Sequence, residues 1–248
     1  MASQKKPLGA PAGSASHPFS ATGAERHFPL DRRLPVAPQI CEVLRNLILN
    51  LELEPGAVIS KDAVARAFGI SSMPVREALR KLEEEGLVII KPQSGTYVTT
   101  IDVQGAREAQ FLRIGVEVEV IRKLVETVTD ENIRELEAIL RHHRFTFEID
   151  DKKAFSQDDM AFHAAMYRMV GVGGLWQKIG TLRVHIDRLR LIHLPLGGKM
   201  SRILSGHEDI LDAIRARDAD RAEAALREHL SETLSFVETF RSRYPHYF

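Results

Sequence analysis

The chain has 248 residues, of which 44% are hydrophobic and 27% charged, and its 34 basic side chains are balanced by 34 acidic ones. That composition is ordinary for a globular protein, and the length suits one large domain or two modest ones. No apolar run approaches the roughly 18 residues of a membrane helix, and the first 35 residues lack a signal peptide's apolar core, so a cytoplasmic protein with no membrane partner is expected. Zero net charge argues neither for nor against nucleic acid, because a DNA-binding face need only be locally basic.

Residues 1–35 are rich in Ala, Gly, Ser and Pro and read as a disordered tail. From Pro38, Ile40, Val43, Leu44, Leu47, Ile48 and Leu51 recur at helical spacing. The lone cysteine, Cys41, falls among them and reads as core. Pro55-Gly56 breaks the chain, and Ser60 is placed to cap a second helix carrying Val64, Ala65 and Phe68, which Gly69 ends. Ser71 or Ser72 caps a third helix, with Pro74 in its first turn and Val75, Ala78, Leu79 and Leu82 facing inward. Two β segments, 87–91 and 96–100, follow around the turn Pro92-Gln93-Ser94-Gly95. Three short helices and a hairpin predict a winged helix-turn-helix over 36–101, with the third helix as the element that enters a major groove.

Beyond residue 102 the pattern is helical, with helices expected over 103–127, 130–149, 151–170, 173–194, 199–217 and 218–243. The fold class is therefore mainly α. A winged helix-turn-helix with a short β-hairpin wing precedes an all-α bundle over 102–243 and a short tail over 244–248.

The segment Ile70-Ser71-Ser72-Met73-Pro74-Val75-Arg76-Glu77-Ala78-Leu79-Arg80-Lys81-Leu82 closely resembles the recognition helix of the GntR family of bacterial regulators. Glu54-Pro55-Gly56 and the wing Gly95-Thr96-Tyr97-Val98 fit the same pattern. The resemblance implies DNA-reading residues at the Ser72 and Arg76 positions. Physically, Ser71 and Ser72 stand at a helix N-terminus that can meet phosphate or base edges, and Arg76 suits a bidentate contact to guanine. Arg80, a turn further on, suits the DNA backbone. For Arg76 the competing reading is a solvated face or an ion pair with Glu77 or Glu83. Gly95, at the wing tip, reads as structural, with neighbouring amides and Ser94 near phosphate or the minor groove. Family members usually carry arginine where Ser72 stands, so a preserved docking mode with a different base preference is expected.

The helical half resembles the effector-binding FCD domain of the FadR-type subgroup. The resemblance rests on Arg113-Ile114-Gly115-Val116-Glu117, Asp159-Met160-Ala161-Phe162-His163, Gly206-His207-Glu208 and Leu226-Arg227-Glu228-His229. Asp159 and His163, four apart, project from one side of a helix. With His207 and His229 they match the subgroup's one-Asp, three-His metal set. Such a set suits zinc, nickel, manganese or iron. A divalent ion with one carboxylate leaves positive charge that attracts an anion, and Arg113 matches an arginine that the subgroup places near this cavity. The competing reading of Arg113 is an ion pair with Glu117. Arg183, Arg188 and Arg190 lie on a cavity-side helix with their facing open. His142, His143, His185 and His193 receive no role.

The resemblance thus implies a homodimeric regulator, more often a repressor. It would read a palindromic double-stranded operator and respond to a small carboxylate of the sugar-acid or hydroxy-acid class, with a hinge around residues 101–105. Two rivals are a metal-dependent hydrolase and a DNA-binding protein whose metal is purely structural. At residues 170–175, glycines replace an asparagine common in the subgroup, which removes its cap.

Overall fold

The computed structural model describes residues 19, 28–194, 197–232 and 234–248. Most of the tail expected over 1–35 lies outside the described residues. Two compact units are present, Met1–Val98 and Thr99–Phe248.

In the first unit, α1 (Val36–Leu49) buries Ile40, Cys41, Leu44, Leu47 and Ile48 on one face. β1 (Val58–Ile59) and α2 (Lys61–Phe68) follow. The Ser60 side chain accepts from the Ala63 amide, and Gly69 closes α2 at φ +65°, a conformation in which glycine carries no Cβ penalty. Phe28, ahead of α1, stacks on Phe68 at 5.0 Å between ring centroids. In α3 (Ser72–Glu84), Val75, Ala78, Leu79 and Leu82 form the buried stripe. β2 (Val88–Lys91) and β3 (Gly95–Val98) form the wing, and the antiparallel sheet runs β1-β3-β2. β1 was not anticipated. Its two residues are too short for alternation to show, and it exists because Val58 and Ile59 pair with Tyr97 and Thr96.

Two glutamates near the end of α3 fix that helix in place. Glu85 takes a forked contact from Arg45 of α1, at 2.8 and 2.7 Å. Glu83 accepts the Ile90 amide of β2 at 2.8 Å. The acidic run thus ties α3 to its neighbours on both sides.

The second unit is all helix among the described residues. α4 (Val103–Thr127), α5 (Asp130–Glu148) and α6 (Lys152–Met169) come first. A reciprocal cap between Thr129 and Asn132 starts α5, and Asp151 caps α6. α7 (Gly173–Leu182), α8 (Val184–His193), α9 (Lys199–Arg215), α10 (Ala219–Ser231) and α11 (Val237–Arg243) complete the bundle. Val172 stands at the start of α7 and supplies no side-chain cap, in keeping with the missing asparagine. The core joins Val118, Ile121, Leu124, Phe162, Met166, Ile210, Ile214 and Leu226 from α4, α6, α9 and α10.

The structure corrects three expectations of extent. The helix expected over 173–194 breaks at Arg183, whose side chain lies 3.6 Å over the Trp176 ring and 3.1 Å from Asp187. The helix expected over 218–243 stops at Ser231, where Glu232 turns to meet Lys199 at 2.7 Å. Of the hinge placed at 101–105, residues 103–105 form the first turn of α4. The preceding segment is held from several sides. Arg188 donates to the Thr99 carbonyl at 2.8 Å, the Ile101 amide donates to the Tyr247 carbonyl at 2.7 Å, and the Asp102 amide donates to His185 Nδ1 at 3.3 Å.

Candidate functional site

The first candidate surface is the exposed side of α3. Ser71 occupies the cap position, but its hydroxyl makes no capping bond, and Ser72 is the first helical residue. Both hydroxyls stand beside the free amides of a helix N-terminus. Arg76 is exposed and, among the described residues, has no ion-pair partner; Glu83, its expected competitor, is engaged with the wing. Arg80 is exposed, with Glu84 3.9 Å away, a surface pair worth little against a phosphate contact. Met73, not singled out in the sequence, is 79% exposed in the first turn. The signal was present, because Met73 is apolar yet off the buried stripe. At the wing tip Gly95 adopts φ +131°, and a Cβ there would meet the Tyr97 ring at 3.8 Å. Ser94 and Tyr97 share a hydroxyl hydrogen bond of 2.8 Å, and Lys91 Nζ sits 5.1 Å above the Tyr97 ring. Gly95 therefore shapes the tip, and Lys91 and Ser94 furnish its polar groups.

The second candidate site lies within the bundle. α6 presents Asp159 and His163 one turn apart, α9 presents His207, and α10 presents His229. One ligand atom from each of the four lies within 4.8 Å of the others. Asp159, His163 and His207 are fully buried, and His229 is partly exposed. The Nε2 atoms of His163 and His207 lie 3.2 and 3.1 Å from His229 Nε2, and His207 Nε2 is 3.6 Å from Asp159 Oδ1. Ligands held tetrahedrally at zinc–nitrogen distances are about 3.3 Å apart, so these separations fit a metal ion. Burial pushes His207 and His229 well below the usual imidazole range. They are neutral at pH 7, the state a metal requires.

Supporting contacts orient this set. His163 Nδ1 is 2.7 Å from Glu117 Oε2, which turns Nε2 toward the cluster. Burial alone would raise the Glu117 pKa, but Arg113 and His163 overcome it and hold the carboxyl at about 2. His207 Nδ1 is 3.3 Å from His143 Nδ1, and the Phe162 ring stacks on His207 at 4.4 Å. His143, given no role from the sequence, is therefore a buried neighbour of the cluster, its pKa lowered by burial to about 3. Nothing in its own segment signals this, because the contact joins α5 to α9.

Both readings of Arg113 hold at once. It is buried and pairs through Nε with Glu117, yet its Nη2 has no hydrogen-bond partner. It lines a void of about 10 Å³ with Asp159, Arg190, Lys199, Ile203 and His229. Arg190 forms a buried ion pair with Asp159. Burial, reinforced by Arg113, lowers its pKa to about 9, still charged at pH 7. The facing left open for the arginines of α8 resolves accordingly. Arg190 faces the quartet, Arg188 binds the Thr99 carbonyl, and Arg183, just before α8, covers Trp176. A larger cleft of about 380 Å³, lined by residues of α9 and α10, also includes His229, with Arg202, Arg221 and Glu228 in its walls.

A helix-turn-helix with a wing, joined in one chain to a helical unit built around a polar centre, defines a one-component DNA-binding regulator. Residues 37–98 match the gntR family of bacterial regulatory proteins, and residues 108–232 match the FCD domain. The chain is 32% identical over 207 residues to the HTH-type transcriptional repressor RspR of Escherichia coli K12, covering 84% of this chain and 91% of that protein. It is 25% identical over 203 residues to the gluconate operon transcriptional repressor of Bacillus licheniformis, covering 80% and 83%. The fold resembles the solved structure of E. coli McbR/YncC, with a TM-score of 0.72 and 20% identity over 84% of this chain and 99% of that one. The protein belongs to the GntR family of transcriptional regulators and carries an FCD domain. These families are regulators rather than enzymes, which removes the hydrolase reading. No helix among the described residues is long and apolar enough to cross a membrane.

Proposed function

We propose that the protein is a homodimeric, ligand-responsive repressor whose FCD domain holds a divalent metal and a small carboxylate. Asp159, His163, His207 and His229 would hold the ion, be it zinc, nickel, manganese or iron. A bound ion would supply Lewis-acidic coordination positions for the acid. Arg113 would take another of the ligand's oxygens through its unpartnered Nη2, because a buried donor without an acceptor is a standing cost that an anion relieves. In the DNA-binding unit, Ser71, Ser72, Arg76 and Arg80 would meet a half-site of a palindromic operator, and Gly95 would shape the wing tip. Gluconate is named for the operon of one relative, in keeping with a sugar-acid or hydroxy-acid effector.

The observation that carries this reading is the convergence of four ligand atoms within 4.8 Å beside an unpartnered arginine donor. The small size of the adjoining void favours a second reading, in which the metal only stabilises the domain. Operator anisotropy with zinc-loaded protein separates the two. A sugar or hydroxy acid should lower operator affinity in the wild type, and His207→Ala should abolish that response while leaving ligand-free DNA binding intact. Arg76→Ala should weaken DNA binding by about 1–3 kcal/mol, with or without acid. If no acid shifts the wild-type isotherm and chelation only lowers the Tm, the metal is structural.

A further inference from the structure

We propose that the turn ahead of α1 is a further DNA-backbone site, in which Arg32 takes a phosphate at the edge of the groove that α3 would read. The proposal rests on the placement of α3 in that groove and extends it.

Residues 28–35 fall in the stretch read from the sequence as tail, and the gntR family match begins only at residue 37. They nevertheless form a built turn. The Leu34 amide donates to the Asp31 carbonyl at 3.1 Å, which places Arg32 and Arg33 at the two central positions of a β-turn. The Asp31 carboxylate accepts the Arg33 amide at 2.9 Å, the local bond that suits aspartate to the first turn position. Gln39, in α1, spans the turn with both ends of its side-chain amide. Its Oε1 accepts the Asp31 amide at 2.8 Å, and its Nε2 donates to the Asp31 and Pro35 carbonyls at 2.9 and 3.1 Å. Upstream, Phe28 is stacked on Phe68 of α2, and Phe19 is buried with its ring centroid 5.7 Å from that of Phe28. The turn is thus fixed to α1 and, through Phe28, to α2.

The two arginines at its tip differ in what they have left to offer. Arg33 closes on Asp31 through a forked pair at 3.0 and 2.8 Å. Arg32 is exposed and, among the described residues, has no ion-pair partner. A bare cation on a backbone that is already ordered loses little freedom on meeting an anion. Position selects the anion. The first turn of α1, at Ala37 and Pro38, shares a cleft of about 180 Å³ with Glu77, Arg80, Lys81 and Glu84 of α3. The mixed charge of that cleft makes it no anion site itself, but it sets the turn beside the exposed face of α3. Arg32 is five residues from Ala37 and so within about 17 Å of the cleft. A major groove is about 12 Å wide. A cation offset on this scale from a helix in the groove meets the phosphates of its wall, and phosphate contacts fix register without reading sequence.

The test is anisotropy of the full-length protein across a KCl series, on an operator recovered from a random duplex library and on a scrambled duplex. Arg32→Ala should weaken both by about eightfold at 0.1 M salt and reduce the slope of log K against log salt by about one. Arg32→Lys, which keeps the charge, should retain the slope. Gln39→Ala, which releases the turn but keeps every cation, should lose part of the affinity and nothing further when combined with Arg32→Ala. An unchanged slope in Arg32→Ala, a loss confined to the operator, or a slope that lysine does not restore overturns the proposal while leaving α3 as the reading helix. Arg76→Ala is the control for that helix. If it leaves operator affinity unchanged, the reading of α3 falls and this proposal falls with it.

Discussion

Gly206 controls how closely α9 can approach His229. A Cβ at that position would lie 2.9 Å from His229 Nδ1, too close without a shift, and 3.4 Å from its Cβ and Cγ. A retreat of the ring would move Nε2 away from the other donors. Gly206→Ala should lower zinc affinity by about tenfold, the effect typical of disturbing a ligand's support, while the metal-free protein keeps its secondary structure. Chelator competition with circular dichroism checks this; unchanged zinc affinity would show that the ring adjusts freely. At this scale the sequence was informative about the cluster and poor about its company. Asp159, His163, His207 and His229 were legible as a candidate set from spacing and family likeness, and the structure brings them together. His143 was not, and Arg190 was legible only as one of three arginines whose facing stayed open, because each makes its contact between elements distant in the chain, α5 with α9 and α8 with α6. Glu117 was legible in part, as a partner for Arg113 four residues away, while its close contact with His163 was hidden.

Among the elements, α8 touches several separate parts of the bundle. Within one short helix it carries Arg190 against the quartet, Arg188 on the Thr99 carbonyl and His193 in a stack with Phe236 at 3.5 Å. Its start was not legible, since neither proline nor a capping side chain marks the break at Arg183. A tertiary contact with Trp176 accompanies the break there. By contrast, the helices expected over 130–149 and 151–170 match α5 and α6 closely, and the side chains of Thr129 and Asp151 cap them. His193 also makes α8 sensitive to acid. Burial lowers its pKa from 6.5 to about 4. Below pH 6.5 the unfolded chain gains a proton that the folded chain refuses, so stability is complete above pH 6.5 and falls as pH drops toward 4. The loss from this residue is about 2 kcal/mol at pH 5. His193→Gln should shrink the difference between urea unfolding at pH 7.5 and pH 5 by roughly that amount; an unaltered difference would assign the acid sensitivity to other groups.

For the molecule as a whole, the two-part architecture was readable because each part obeys a different rule. Short capped helices with a hairpin mark the first, and long helical periodicity marks the second. The edge strand β1 escaped because it depends on a partner rather than on its own two residues. The palindromic operator proposed above would call for a two-fold dimer, and α4 presents an apolar surface that would suit one. Phe111 is 84% exposed and its neighbour Leu112 41%. Phe111→Asp should shift the protein toward monomer and weaken operator binding in parallel, as read by sedimentation velocity and anisotropy. A variant that stays fully dimeric would move the interface elsewhere.

The 10 Å³ void beside the quartet bears on time as well as affinity. A cavity that holds one water would admit no acid until side chains part, so the proposed ligand, if it is taken up beside Arg113 and not from the cleft that also includes His229, would wait on an opening event rather than on collision. The observed association rate should level off as the acid becomes concentrated, and it should rise steeply with temperature. Brief fluctuations in effector concentration would then pass without a response, and sustained supply would be needed to change transcription.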